Sequence, residues 1–185
     1  MNPWRREGDK IVTKLERQEA AILRAMVSQV SDMLEARAEE APQDELAELT
    51  GIRTGPSTSP DDPILSRLLP DFHRLDEDKP EKDAMDSAAA LRSLHEPTLL
   101  DMKTGVAAVV LETCPPDGGL VRLNPEQADA WLAALNDVRL ALGTALDVTE
   151  DMPDELPDDD PRADHLPVYH WLTVVQEELI HAVSS

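Results

Sequence analysis

The sequence predicts a mainly α-helical single domain: a helical bundle with a small N-terminal β-hairpin and a third short strand beside it. Three observations point there. Five segments return apolar residues to one face at helical spacing, the strand-favouring runs are very short, and turn or cap residues separate them. At 185 residues the chain has the length of one domain, long enough to bury roughly 70% of its unfolded surface. Aromatics make up only 3% of it, so Leu, Val, Ile, Ala and Met must build the core.

Taken in order, Trp4 to Arg6 and Lys10 to Thr13 flank a turn at Glu7, Gly8 and Asp9, which reads as a hairpin. From about Leu15, the residues Ile22, Leu23, Met26, Val27, Val30, Met33 and Leu34 keep to one helical face, and Pro42 ends the pattern. Residues 45–49 suggest a short helix stopped by Gly51, and residues 52–61, rich in Thr, Ser, Pro and Gly, read as a flexible connector. Asp61 or Asp62 then caps a short helix with Pro63 in its first turn and Pro70 after its end.

A charged stretch over residues 71–86 reads as loop in its first half. Residues 81–95 follow as a helix with Met85, Ala88, Leu91 and Leu94 as its inner face. Pro97 begins or kinks the next, which carries Leu99, Met102, Val106, Val109 and Val110, and whose sparse polar surface predicts a central position. Residues 120–123 read as the third strand. Asn124, Pro125 and Gln127 form a capping box, opening a helix striped by Ala128, Trp131, Leu132, Leu135, Arg139, Leu142 and Leu146. Residues 147–166 read as a flexible acidic segment with three prolines, Pro153, Pro157 and Pro161. Val168, Trp171, Leu172, Val175, Leu179 and Val183 define the last helix.

Asp plus Glu number 38 against 17 Lys plus Arg, a net charge of −21. That field repels phosphate backbones, so direct nucleic-acid binding is not expected. It favours basic partners at encounter. Cys114 is the single cysteine, which excludes an internal disulfide framework and fits a reducing, cytoplasmic setting. No apolar run is long enough to enter a membrane as a spanning helix.

Catalytic and cofactor signatures are missing from the sequence. His73, His95, His165, His170 and His181 form no metal-binding pair. The clusters 76–78 and 158–160 are consecutive carboxylates without the alternation of a calcium loop. Cys114 stands at a helix C-terminus, where the dipole opposes a thiolate. No glycine-rich phosphate loop and no nucleophile elbow occurs. No cofactor, metal or catalytic residue is therefore expected. The oddity is polar: Arg139, three residues after Asn136, lies on an apolar stripe and is expected to be a buried or half-buried anchor bonded to a carboxylate or to helix-end carbonyls. Trp131, Tyr169 and Trp171 read first as core aromatics and second as partner anchors.

Three runs carry a resemblance: Asp62, Pro63 and Arg67 to Pro70; Trp131 to Gly143, including Asn136 and Arg139; and Tyr169 to Glu177, including Trp171 and Gln176. Together they resemble an actinobacterial family known as a domain of unknown function, number two thousand and seventeen. The chain departs from that family's pattern at Ala89, Ala90, Leu91, Arg92 and Ser93, where the family has a more aromatic, Arg-rich helix. The resemblance implies a genomic neighbourhood shared with the adaptor of the Clp protease and with sulfur-carrier genes. It also implies a regulatory or adaptor-like role linked to regulated proteolysis.

The leading expectation is a non-catalytic regulatory module that binds a protein partner. An enzyme with an unrecognised carboxylate or histidine site is the alternative, and a transcriptional regulator the third. Candidate structural or interaction residues are Asp62, Arg67, Trp131, Asn136, Arg139, Tyr169, Trp171 and Gln176. Homo-oligomerisation stays open.

Overall fold

The computed structural model describes residues 1–42, 49–72 and 81–185. The chain runs β1 (Arg5–Glu7), β2 (Lys10–Leu15), α1 (Arg17–Glu39), α2 (Pro63–Leu68), α3 (Glu81–Thr113), β3 (Gly119–Leu123), α4 (Pro125–Ala145) and α5 (Leu166–Ser184). It is mainly α, as the periodicity predicts. The expected helix at residues 45–49, the carboxylate cluster 76–78 and His73 fall largely or wholly outside the described residues.

The hairpin forms because Gly8, at φ 65°, supplies the left-handed turn between β1 and β2. The third strand pairs antiparallel on the far side of β2, with Ile11 opposite Leu123 and Thr13 opposite Val121. Ile11, Thr13, Leu15, Val121 and Leu123 are buried beneath the sheet, whereas Lys14 and Leu120 face out.

Caps read from sequence appear where their chemistry places them. The Asp62 carboxylate accepts from the Ile64 and Leu65 N–H groups at 2.9 Å, and Pro63 opens α2. Asn124 and Gln127 exchange reciprocal bonds of 2.8 and 2.9 Å at the start of α4. A second capping box, Glu16 with Glu19, starts α1.

Three expectations about the middle of the chain are corrected. Residues 81–95 and 97–113 are one helix, α3, which passes through Pro97 without ending. Pro97 has no N–H for the Ser93 carbonyl four residues back. That carbonyl instead accepts the Gly55 N–H at 2.8 Å, and the Ser93 hydroxyl donates to Gly55 O at 3.0 Å. The proline therefore makes a docking notch for the 52–61 segment, whose Pro56 and Pro60 are also buried.

The inner face of α3 is not Met85 and Leu94, which are 58% and 52% exposed, but Ala84, Arg92, Glu96 and Leu100. An apolar-periodicity reading discards charged positions, and here the charged positions are buried. Finally, the central helix is α4, which packs against α1, α2, α3 and α5, while Met102 of α3 stays exposed. Trp131 of α4 is fully buried, stands edge-on to Trp4 at 5.4 Å, and donates from Nε1 to the Thr113 hydroxyl of α3 at 2.7 Å. No helix among the described residues is long and apolar enough to cross a membrane.

Candidate functional site

In a chain with so few cations, where each guanidinium goes is informative. Among the described residues, four arginines hold the C-terminal ends of helices, where carbonyls lack intrahelical donors. Arg92 donates to Leu69 O after α2 at 3.2 and 3.3 Å. Arg24 donates to Leu111 O and, at 2.6 Å, Cys114 O at the end of α3. Arg162 reaches Leu146 O after α4 at 3.3 Å, and Arg6 reaches Val183 O in α5 at 2.6 Å.

Arg92 and Arg37 also clamp Glu96, a carboxylate with no solvent exposure, at 2.6 Å each. Asp71 and Glu40 close the network outward at 2.7 and 2.5 Å, and Arg37 bonds Thr58 O as well. Hydrogen bonding to Arg92, then to Ser59, holds the Asp71 carboxyl below its ordinary range. Burial opposes the charge of Arg37, but Glu96 and Glu40 more than offset it and its pKa is raised. Arg5, Arg17, Arg53 and Arg122 make surface ion pairs.

Among the described residues, Arg67 and Arg139 are the arginines with neither an ion pair nor a hydrogen bond, and both line the same cavity. It measures about 330 Å³ and is completed by Leu140, Gly143, Thr144, Asp147, Val148 and Tyr169. Arg67 comes from the last turn of α2, Arg139 from the middle of α4 and Tyr169 from the first turn of α5. Gly143 permits the close packing: a Cβ there would meet the Tyr169 ring at 3.2 Å. The Thr144 hydroxyl already donates to Leu140 O at 2.9 Å.

The expected anchoring of Arg139 is thereby corrected. The side chain is half-buried, and its Nε is closed to solvent with no acceptor. The nearest carboxylate in sequence, Asp137, lies two residues earlier and hence towards the other side of the helix. There it is buried and bonded to Lys103 of α3 at 2.5 Å. Burial pushes the Asp137 carboxyl up, with Lys103 opposing.

Of the other candidates, Asp62 is a helix cap and Trp131 a core residue, while Asn136 and Gln176 are half-buried away from the cavity. Trp171 lines a separate apolar groove of about 390 Å³ with Ile22, Pro167 and Val168, rimmed by Glu16 and Glu19. Asp147 was not legible as a lining residue. It follows α4 at φ 51°, a backbone state that periodicity does not reveal. Cys114 is 1% exposed, and burial raises its thiol pKa against the pull of Arg24.

Five of the eight lining residues, Arg67, Arg139, Leu140, Gly143 and Tyr169, lie in the runs that carry the resemblance to the family, and the whole chain bears it out. Residues 1–183 match the family model described as Domain of unknown function (DUF2017). The chain belongs to this family. It is 44% identical over 182 residues to proteins of Mycobacterium tuberculosis and Mycobacterium bovis named oxidative stress regulator AosR, covering 95% of this chain and 83% of theirs. A Mycobacterium leprae relative named putative oxidative stress regulator AosR is 41% identical over 191 residues, covering 98% of this chain and 88% of its own length. No solved structure matches the chain.

Proposed function

We propose that this protein is a regulator in the response to oxidative stress and that it works by contacting a protein partner, not by catalysis. The observation that carries the first half is the 44% identity, over 95% of the chain, to relatives named as oxidative stress regulators. The second half draws on the surface. The groove beside Trp171 pairs an apolar floor of Ile22, Val168 and Pro167 with the acidic rim of Glu16 and Glu19. A basic segment bearing an apolar anchor fits that chemistry, and the net charge of −21 favours its encounter.

The oxidative signal does not become a disulfide within these 185 residues, since Cys114 is the single cysteine and is buried. The chain receives the signal through what it binds. Peroxide challenge of native cells lacking this protein tests the reading. Increased killing is expected, rescued by the wild-type chain and not by a folded Trp171→Ala variant. Equal survival of deleted and intact cells would overturn the regulatory reading, and full rescue by Trp171→Ala would overturn the groove as the contact surface.

A further inference from the structure

We propose that the cavity between α2, α4 and the start of α5 is a binding site for a small molecule bearing an oxyanion, held between Arg67 and Arg139. The inference goes beyond the regulatory reading and stands or falls without it. Its premise is the distribution of cations: the other described arginines are engaged by carboxylates or helix ends, and these two, from separate helices, converge unpaired on one cavity.

An arginine whose Nε is closed to solvent without an acceptor bears a burial cost with no ion pair in return, and an anion in the cavity beside its guanidinium offsets that cost electrostatically. Two planar guanidinium groups match the oxygens of a carboxylate or a phosphate, which both can bind in bidentate fashion. No hydrogen bond engages the Tyr169 hydroxyl, leaving a third donor in the lining. Leu140, Val148 and the flat face at Gly143 offer an apolar wall for the rest of the molecule. The volume of about 330 Å³ falls within the range of small-ligand pockets.

Asp147 is the opposing element, a carboxylate in the lining that repels an anion. It makes no ion pair with either arginine, and its field acts on Arg162 outside the cavity. The site therefore has a built-in brake on affinity, and removing that charge should tighten binding of an anion.

The test titrates the isotope-labelled full chain with inorganic phosphate and, separately, with succinate, at constant ionic strength balanced by sodium chloride, following the backbone amide resonances of the cavity-lining Gly143 and Thr144 by NMR. A saturable shift is expected with a Kd on the order of 1 mM for the better of the two probes; the tighter one assigns the oxyanion as phosphate or carboxylate. Arg67→Gln and Arg139→Gln should each weaken it about tenfold, and Asp147→Asn should tighten it. Because Arg67 is exposed, its variant keeps the test open even if Arg139→Gln folds poorly. No saturable shift with either probe, an equal response to chloride alone, or unchanged affinity in Arg67→Gln would overturn the proposal.

Discussion

Glu96 has no solvent exposure and receives a guanidinium on each oxygen, so its removal leaves the buried Arg37 and Arg92 facing each other with only their outward carboxylates, Glu40 and Asp71. Breaking a buried pair from one side costs about 3 to 5 kcal/mol, largely because the remaining charge is left uncompensated. Glu96→Gln should lower the urea midpoint by a corresponding amount, and an unchanged midpoint would show that water reaches the site. This network was hidden in the sequence. Arg92 and Glu96 are an i, i+4 pair of the kind usually found on an exposed helix face, and only the Arg37 of another helix turns the pair inward. Arg139 shows the opposite error: its place on an apolar stripe correctly signalled partial burial, but no pattern in one helix tells which neighbouring helices will fail to supply a carboxylate. What sequence did show of the cavity was three of its lining residues, since Arg67, Arg139 and Tyr169 stand among the sequence candidates and all lie in the runs that mark the family.

At the scale of elements, local chemistry was legible wherever it needed no distant partner, as with the Asp62 cap and the Asn124 capping box. The continuity of α3 was not, because it depends on the Gly55 N–H taking over a carbonyl that Pro97 leaves free. A Cβ at Gly55 would lie 3.0 Å from Pro97 Cδ, so Gly55→Ala should displace this segment and destabilise the domain by about 1 to 3 kcal/mol, read from the thermal midpoint. Gly118 is a harder constraint: at φ 76°, a Cβ would stand 2.7 Å from the Arg17 backbone nitrogen. Substitution there should cost more than at Gly55.

The acidic segment between α4 and α5 has its own pH dependence. Hydrogen bonds from the Arg162 side chain and backbone hold the Asp160 carboxyl down to about 2, while Arg162 also reaches the end of α4. A carboxyl depressed in the folded state stabilises above its unfolded value, near 4, and that contribution is lost as pH falls through about 2. Asp71 acts in the same direction. Asp137, raised by burial, does the reverse and gains protons more readily when folded, so its protonation favours the folded state as pH falls. Limited proteolysis within residues 151–159 should therefore accelerate on acidification towards pH 2 with an acid-stable protease. Cleavage rates independent of pH, after correction for protease activity, would show that the Asp160 to Arg162 clamp does not hold the segment.

For the molecule as a whole, the surplus of 21 negative charges sets two expectations. The first concerns stability. Like charges repel in the compact state, and raising sodium chloride from about 0.01 M to about 1 M shortens the screening length from about 30 Å to about 3 Å. Salt should raise the thermal midpoint, by about 2 to 4 °C for each kcal/mol of repulsion relieved. A fall would mean that the surface ion pairs outweigh the repulsion. The second concerns how a regulator of this composition reaches its target. Binding to a duplex depends on Lys and Arg displacing condensed counterions along the phosphate backbone. Among the described residues the arginines are drawn to helix ends and carboxylates, and the two without a partner face one cavity between helices. They present a pocket for a single anion, not a stripe for a polyanion. Fluorescence anisotropy of labelled duplex DNA in about 0.15 M salt should thus show no binding at micromolar protein, where nonspecific binders with Kd near 10⁻⁶ M begin to respond. Sequence-specific binding at lower concentration would place the regulatory contact on DNA and overturn the protein-partner reading. Absence of binding with the isolated chain, together with loss of peroxide resistance in cells lacking it, would leave the regulatory effect to be carried through another protein.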